Sequence, residues 1–461
     1  MMKKFLVMSL ALIATVWISF GQNSTAKTSD FHSWASTPPM GWNSWDCFGP
    51  TVVESEVKAN ADYMAAHLKK FGWEYIVIDI RWYVDNDKAH GYNEKDPAFV
   101  MDEYGRFQPS PIRFPSAANG AGFKSIADYI HSKGLKFGIH IMRGIAKEAV
   151  KRNTPILGSK MKATDIYNTD HLCEWLKDMY TVDCKKEGAQ EYYNSLFSMY
   201  ASWGLDFVKI DDLSAPFYHQ DEIDLIRKAI NRSGRKIVLS TSPGETPVAN
   251  REHIKSNANM WRIVNDLWDN WKQLKEEFEV CNRWSSHIGE GHFPDCDMLP
   301  LGHIGIRAER GNDRMSGLTK DEQMTMMTLF SIFRSPLMFG GNLPDNDAFT
   351  LSLITNKEVL YINQHSTGNR QLFSDDGMVA WTAMDPKNGD KFLALFNISD
   401  QVVPNAMEEK RISVPFEMLG INGSCTVTDL WSGKQLGKFE GEFVQNIKPH
   451  ASGLYRISMK K

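Results

Sequence analysis

Phe207-Val208-Lys209-Ile210-Asp211 is a short, largely apolar run that closes on an acid. Runs of the same kind recur along the chain: Tyr75-Ile76-Val77-Ile78-Asp79, Phe137-Gly138-Ile139-His140-Ile141 and Ile237-Val238-Leu239-Ser240, with residues 260–266 and 336–339 continuing the series. Their length and β-type composition predict strands. Between them, helix-like periodicity covers residues 54–71, 123–133, 190–203, 222–232 and 319–333. Gly72, Gly134, Gly204 and Gly234 stand where such helices should stop. Alternation of buried strands and amphipathic helices is the pattern of a parallel sheet wrapped by helices. Its extent suits a (β/α)8 TIM barrel, which takes about 250 residues plus insertions. A doubly wound sheet is the rival, but no G-x-G-x-x-G follows the first strand.

The barrel is expected over residues 30–362. From about Asn363 the texture changes to short alternating segments such as Val379-Ala380-Trp381-Thr382, Phe392-Leu393-Ala394-Leu395-Phe396 and Cys425-Thr426-Val427-Thr428, separated by Gly, Asn and Asp. Residues 363–461 therefore read as an antiparallel β-sandwich without catalytic groups. At the other end, Met1-Met2-Lys3-Lys4 and an apolar run to Phe20 form an export signal over residues 1–22. The run is shorter than the roughly 20 apolar residues of a membrane span. A secreted or periplasmic protein, with no membrane contact after signal removal, is the expectation.

The 461 residues are 42% hydrophobic and 23% charged with a net charge of -4, which excludes a disordered chain and gives nucleic acid no basic surface. Fourteen Trp and fourteen Tyr suit a carbohydrate partner, because sugar C–H faces stack on aromatic rings. Of the six cysteines, Cys173 and Cys184 are the first candidates for a disulfide. No C-x-x-C pair and no His/Cys cluster has zinc spacing, so no metal and no cofactor is expected.

Chemistry concentrates at the strand ends. A strand between a sheet and its helices is normally apolar throughout, yet Asp79, His140, Lys209 with Asp211, and Arg262 with Asp266 close successive runs. One strand-end Asp could simply cap the next helix. Several on the C-terminal rim of one barrel make a polar pocket. Two carboxylates about 5–5.5 Å apart would suit retaining glycoside hydrolysis. Lys209 and Asp211 are two apart, so both side chains leave one face of the strand, and the lysine would keep Asp211 ionised. The partner acid, Asp266, needs a raised pKa. Asp212 alternates to the other face, and the Met324, Met326, Met327 group reads as core packing.

Longer motifs add a resemblance. Thr37-Pro38-Pro39-Met40-Gly41-Trp42-Asn43-Ser44-Trp45 resembles the opening strand of glycoside hydrolase family 27, the α-galactosidase and α-N-acetylgalactosaminidase family. Lys209-Ile210-Asp211 is similar to its K-x-D nucleophile motif, residues 262–266 to its R-x-x-x-D acid/base motif, Asp295-Cys296-Asp297-Met298-Leu299 to D-P-D-M-L, and Ile362-Asn363-Gln364 to its barrel exit. The resemblance implies Asp211 as nucleophile and Asp266 as general acid/base. It implies sugar contacts from Trp42, Asp79, His140, Lys209, Ser242, Arg262 and Asp297. The implied activity is an exo-acting, retaining α-galactosidase; an α-N-acetylgalactosaminidase or related α-glycosidase is the alternative, and a non-catalytic carbohydrate-binding protein the rival from another class.

Three departures bear on specificity. The family's α-galactosidases carry two adjacent acids after the second strand, where this chain has Asp79-Ile80. His140 replaces a common tyrosine. Ser240-Thr241-Ser242-Pro243-Gly244 replaces a Cys-Glu-Trp type segment, with Ser242 where a glutamate reads the sugar 2-hydroxyl or a serine makes room for an N-acetyl group.

Overall fold

The computed structural model describes residues 31–400 and 409–459; the expected export signal lies outside them. Strands β1 (Met40–Asn43), β2 (Tyr75–Ile78), β3 (Lys136–Met142), β4 (Phe207–Asp211), β5 (Val238–Thr241), β6 (Met260–Arg262), β7 (Phe293–Asp295), β8 (Met298–Leu299) and β9 (Leu337–Phe339) form one sheet. Its order is β7-β6-β5-β4-β3-β2-β1-β9-β8, with parallel pairing throughout. The strands at the two ends of that order, β7 and β8, are separated in the chain only by Cys296 and Asp297. The ring therefore closes through a single interrupted strand, and the fold is the TIM barrel. That interruption has a local cause: Asp297 takes a positive φ of 79°, which no strand residue can hold.

Helices α1 (Glu54–Tyr63), α2 (Lys124–Ser132), α3 (Ala189–Trp203), α4 (Gln220–Ser233), α5 (Arg251–Lys255), α6 (Trp271–Trp284), α7 (Lys320–Phe333) and α8 (Lys357–His365) follow the strands. The helix expected over residues 54–71 changes register at Met64, through a π-turn and a 3₁₀ turn, which keeps both Met64 and Leu68 in the core. At α7, Thr319 and Glu322 cap each other's backbone N–H groups, a reciprocal arrangement that the S/T-x-x-E spelling encodes. Met326 and Met327 of the same helix are fully buried, as expected of core.

The second domain pairs a six-stranded antiparallel sheet with a two-stranded one, the sandwich read from the sequence. Residue 363 still lies in α8, and the first sandwich strand starts at Thr367. Helix α7 is the seam between the domains. Its Thr325 hydroxyl donates to the His450 carbonyl at 2.7 Å, Glu322 meets His450 Nδ1 at 2.7 Å, and the Trp431 indole donates to Thr328 at 3.0 Å. Among the described residues no helix is long and apolar enough to cross a membrane.

The Cys173–Cys184 bridge is not formed. Cys173 is buried in the loop before the strand Met179–Val182, whereas the Cys184 sulfur beyond that strand turns to the Val182 carbonyl at 3.6 Å. The sulfurs that meet belong to Cys281 and Cys296, 3.4 Å apart.

Gly41 sets how closely β1 approaches β2. A Cβ at this position would lie 2.6 Å from both the Tyr75 Cβ and the Tyr75 carbonyl oxygen. Backbone cannot yield cheaply in a closed ring. Gly41→Ala should cost about 1–3 kcal/mol, as overpacked cores do, read as a lower urea midpoint at unchanged slope. An unchanged midpoint would remove the close approach as a constraint.

Candidate active site

The strand ends converge on a cavity of about 390 Å³ at the C-terminal rim of the barrel. Asp79, His140, Lys209, Asp211, Asp266 and Asp297 all line it. These residues come from the position just past β2, from β3 and β4, the loop after β6, and the break between β7 and β8, so closing the ring is what assembles them.

Asp79 and His140 form a fixed pair. One Asp79 oxygen meets His140 Nδ1 at 2.6 Å, and the other accepts from the Asn43 amide at 2.8 Å. Asp79 is 1% exposed. Burial alone would raise its pKa, but His140 and Lys209 outweigh that and bring it to about 2. His140 Nε2 is buried without a hydrogen-bond partner, 3.8 Å from Asp211 Oδ2. The other Asp211 oxygen accepts from the Ser242 hydroxyl and the Asp212 backbone N–H, both at 3.0 Å. Lys209 is opposed by burial, yet Asp79 and Asp297 hold its pKa above the ordinary lysine value.

Arg262 is 1% exposed and stands behind the cavity wall. Its guanidinium meets Asp297 at 2.6 Å and Asp266 at 3.3 Å. The other Asp297 oxygen accepts from the Leu267 backbone N–H at 2.8 Å, next to Asp266. The strand β6 ends at Arg262, so Asp266 belongs to the following loop rather than to the strand end. Its carboxyl pKa is lowered, contrary to the expectation from sequence. Burial pushes it up, but Arg262, Lys209 and Arg310 together push it further down. Asp297, more deeply buried, is raised by that burial despite Arg262 and Lys209.

Three of the expected sugar contacts are not in the cavity lining. Trp42 is outside the lining: it is fully buried on the opposite side of β1 and donates its indole N–H to the Gly341 carbonyl at 2.8 Å. Trp45, two residues past the strand, lines the cavity instead. Ser242 is also outside the lining; its hydroxyl is held by Asp211, and Pro243 and Gly244 form the wall. Arg262 touches the acids, not the cavity. Residues that sequence reasoning passed over include Asp46, Tyr92, Trp175, Trp268, Glu309 and Arg310, all in the lining. Trp45 and Asp46 were within reach, because they directly follow the first strand. Tyr92 and Trp175 sit in long loops that carry no periodic signal.

The acids around the cavity are not alike. Burial and the neighbouring Asp297 raise Asp46 well above the carboxylate range. Asp295 is pushed to about 6 by burial, with Arg262 opposing and Asp297 assisting. Asp212, beneath the nucleophile candidate, is pushed to about 7 by burial and by Asp211, although Arg143 pairs with it at 2.8 Å. Burial and the uneven placing of cations thus set carboxyls of raised and lowered pKa side by side at this rim.

Comparison with known proteins agrees with this geometry. A family model described as alpha galactosidase A matches residues 37–186 and 160–365, and one for the alpha galactosidase C-terminal beta sandwich domain matches residues 375–457. A family 27 β-L-arabinopyranosidase from Geobacillus stearothermophilus is 52% identical, with 93% of this chain and 98% of that one covered at a TM-score of 0.90. A candidate α-N-acetylgalactosaminidase from Bacillus halodurans is 49% identical, covering 92% and 97%, at a TM-score of 0.82. Alpha-galactosidase 2 of Arabidopsis thaliana is 26% identical over 437 residues, 93% of this chain and 91% of the relative.

Asp295 and Asp212 give stability a defined pH dependence. Their folded pKa values of about 6 and about 7 lie above those of the unfolded chain, so the folded state binds more protons between about pH 4 and 7. Their contribution to stability is complete below about pH 4 and is lost as the pH rises to about 7. Asp295→Asn should make the change of Tm with pH over that window less negative, as measured by differential scanning calorimetry. An identical slope would contradict the assignment.

Proposed function

The chain belongs to glycoside hydrolase family 27, and we propose that it is an exo-acting, retaining glycosidase that releases terminal β-L-arabinopyranose. In this reading Asp211 attacks the anomeric carbon while Asp266 protonates the departing oxygen. Asp266 then deprotonates the water that opens the glycosyl-enzyme, and the anomeric configuration is retained. Its lowered pKa is compatible with the acid role. The Asp266 side chain is 43% exposed, and a sugar covering it adds desolvation, which favours the protonated form. Lys209, Asp79 and the free His140 Nε2 are placed to meet ring hydroxyls. Family membership argues for hydrolysis over sugar binding alone.

The observation that carries the choice of sugar is Ile80. It lines the cavity beside Asp79 and is 2% exposed. β-L-Arabinopyranose and α-D-galactopyranose share ring hydroxyl configuration and anomeric orientation; galactose adds a hydroxymethyl arm at C5. An acid at position 80 could accept a hydrogen bond from that arm. An isoleucine cannot, and the neighbouring carboxylate, Asp79, is held in place by Asn43 and His140. Burying a hydroxyl without a partner costs about 1–3 kcal/mol. The identity to the Geobacillus enzyme supports the same reading. The second reading is the α-galactosidase expected from sequence, favoured by the named activity of the curated relatives. The apolar leader over residues 1–22 supports an enzyme exported to meet its polysaccharide or oligosaccharide substrate.

Hydrolysis of the aryl β-L-arabinopyranoside should exceed that of the aryl α-D-galactopyranoside by at least about tenfold in kcat/KM, the equivalent of 1.4 kcal/mol. Ile80→Asp should shrink that ratio; a parent enzyme preferring the galactoside would favour the second reading. Asp211→Asn should lower kcat by at least about a thousandfold while leaving sugar affinity largely intact. Unchanged turnover would dismiss Asp211 as nucleophile.

A further inference from the structure

Behind β7, away from the sugar cavity, lies a second constellation that the proposed reaction does not use. Glu277 and Cys281 are four apart on α6 and so share one face. Cys296 reaches them from the break between β7 and β8. One carboxyl oxygen and the two sulfurs all lie within 4.8 Å of one another. Glu277 is 2% exposed, and both cysteines are fully buried. Glu277 Oε2 has no hydrogen-bond partner. A buried carboxyl oxygen left unpaired is expensive, and it persists in native structures where an ion or function answers it.

We infer that Glu277, Cys281 and Cys296 bind a thiophilic divalent cation, with zinc as the probe. Two thiolates and a carboxylate are the donor types that zinc takes. The sulfur separation favours a cation over a disulfide. Two thiolates on one tetrahedral zinc stand about 3.8 Å apart, given bonds of about 2.3 Å, whereas bonded sulfurs are about 2.05 Å apart. The observed 3.4 Å is the contact of two free thiols, too long for a bond and close enough for both sulfurs to reach one ion. A disulfide would also leave the Glu277 oxygen unanswered. Three anionic ligands on a divalent ion carry one surplus negative charge; of the charges acting on Glu277, Asp297 and Asp295 disfavour its carboxylate and Arg262 favours it. The residues are scattered as E-x-x-x-C followed by a distant Cys, so no zinc spacing is visible in the sequence. Such a site ties α6 to the turn that carries Asp297, and it stands apart from the choice of sugar.

The test is the full chain purified without chelator. Elemental analysis should find about one zinc per chain, the stoichiometry of a single structural site. Refolding with cobalt in place of zinc should give a thiolate-to-cobalt charge-transfer band in the near ultraviolet. Stripping the metal in mild denaturant should lower Tm, and zinc should restore it. Cys281→Ser and Cys296→Ser should each abolish the band, whereas Cys425→Ser should keep it. If the serine variants fail to fold, the zinc content and cobalt spectrum of the parent chain decide. A parent that stays metal-free after refolding with zinc and shows no cobalt band overturns the site, as does a mass lower by two hydrogens with thiols protected from alkylation, which marks a disulfide.

Discussion

Arg262 is the interaction on which the rim depends. Its guanidinium, closed off from solvent, is shared between Asp297 on the interrupted strand and Asp266 on the loop after β6. A planar fork with fixed donors suits this task as a lysine would not, because it can meet two carboxylates in two directions at once. Asp297 in turn holds the Leu267 backbone N–H, so the loop bearing Asp266 is anchored at both ends of the same ion pair. The position of the candidate acid is thus a property of barrel closure: without β7 and β8 pairing to opposite neighbours, Asp297 would have no fixed address.

The charge balance follows from that geometry. Lys209 and Arg262 are the buried cations set among Asp46, Asp79, Asp211, Asp266, Asp295 and Asp297. These buried cations are fewer than the carboxylates around them, so the carboxyls are served unequally, with His140 adding to Asp79 and Arg310 to Asp266. The carboxyls best served by cations, Asp79 and Asp266, keep depressed pKa values, while Asp46, Asp295 and Asp297 are raised. One packing arrangement therefore yields acids of different strength without any change of residue type. Burial is the largest cause of each rise, and it outweighs Arg262 and Lys209 even at Asp297, which Arg262 meets at 2.6 Å.

The strands were legible because their apolar runs obey the buried-sheet pattern, and the rim acids because they break it. Asp211 sits at the end of β4 as its spelling implied. Asp266 kept its place in the cavity but lies on a loop, because the strand stops at Arg262. The Trp42 and Trp45 exchange shows where periodicity stops informing. Asn43 faces Asp79, so Trp42, its neighbour on an alternating strand, must face the other way. The facing of a strand requires its register with neighbours, which a single sequence does not carry. Ser242 depends on the fold in a similar way, since the turn after β5 directs its hydroxyl to Asp211. The Cys281–Cys296 contact joins a helix to a broken strand, and only the folded chain brings them together.

Specificity in such a site is a matter of what the wall leaves unpaired. The ring hydroxyls of a sugar can find charged or polar groups on every side of this cavity, and those contacts would be made by any sugar of the same ring configuration. Discrimination must come from a position where one candidate presents a polar atom and the wall presents none. On the reading proposed above Ile80 is that position, because it lines the wall without offering an acceptor where an acid would. Rejection by an unpaired hydroxyl does not require steric exclusion, and it operates even where the cavity has room. An apolar residue in the wall can thus act on specificity through the hydrogen bond it fails to offer.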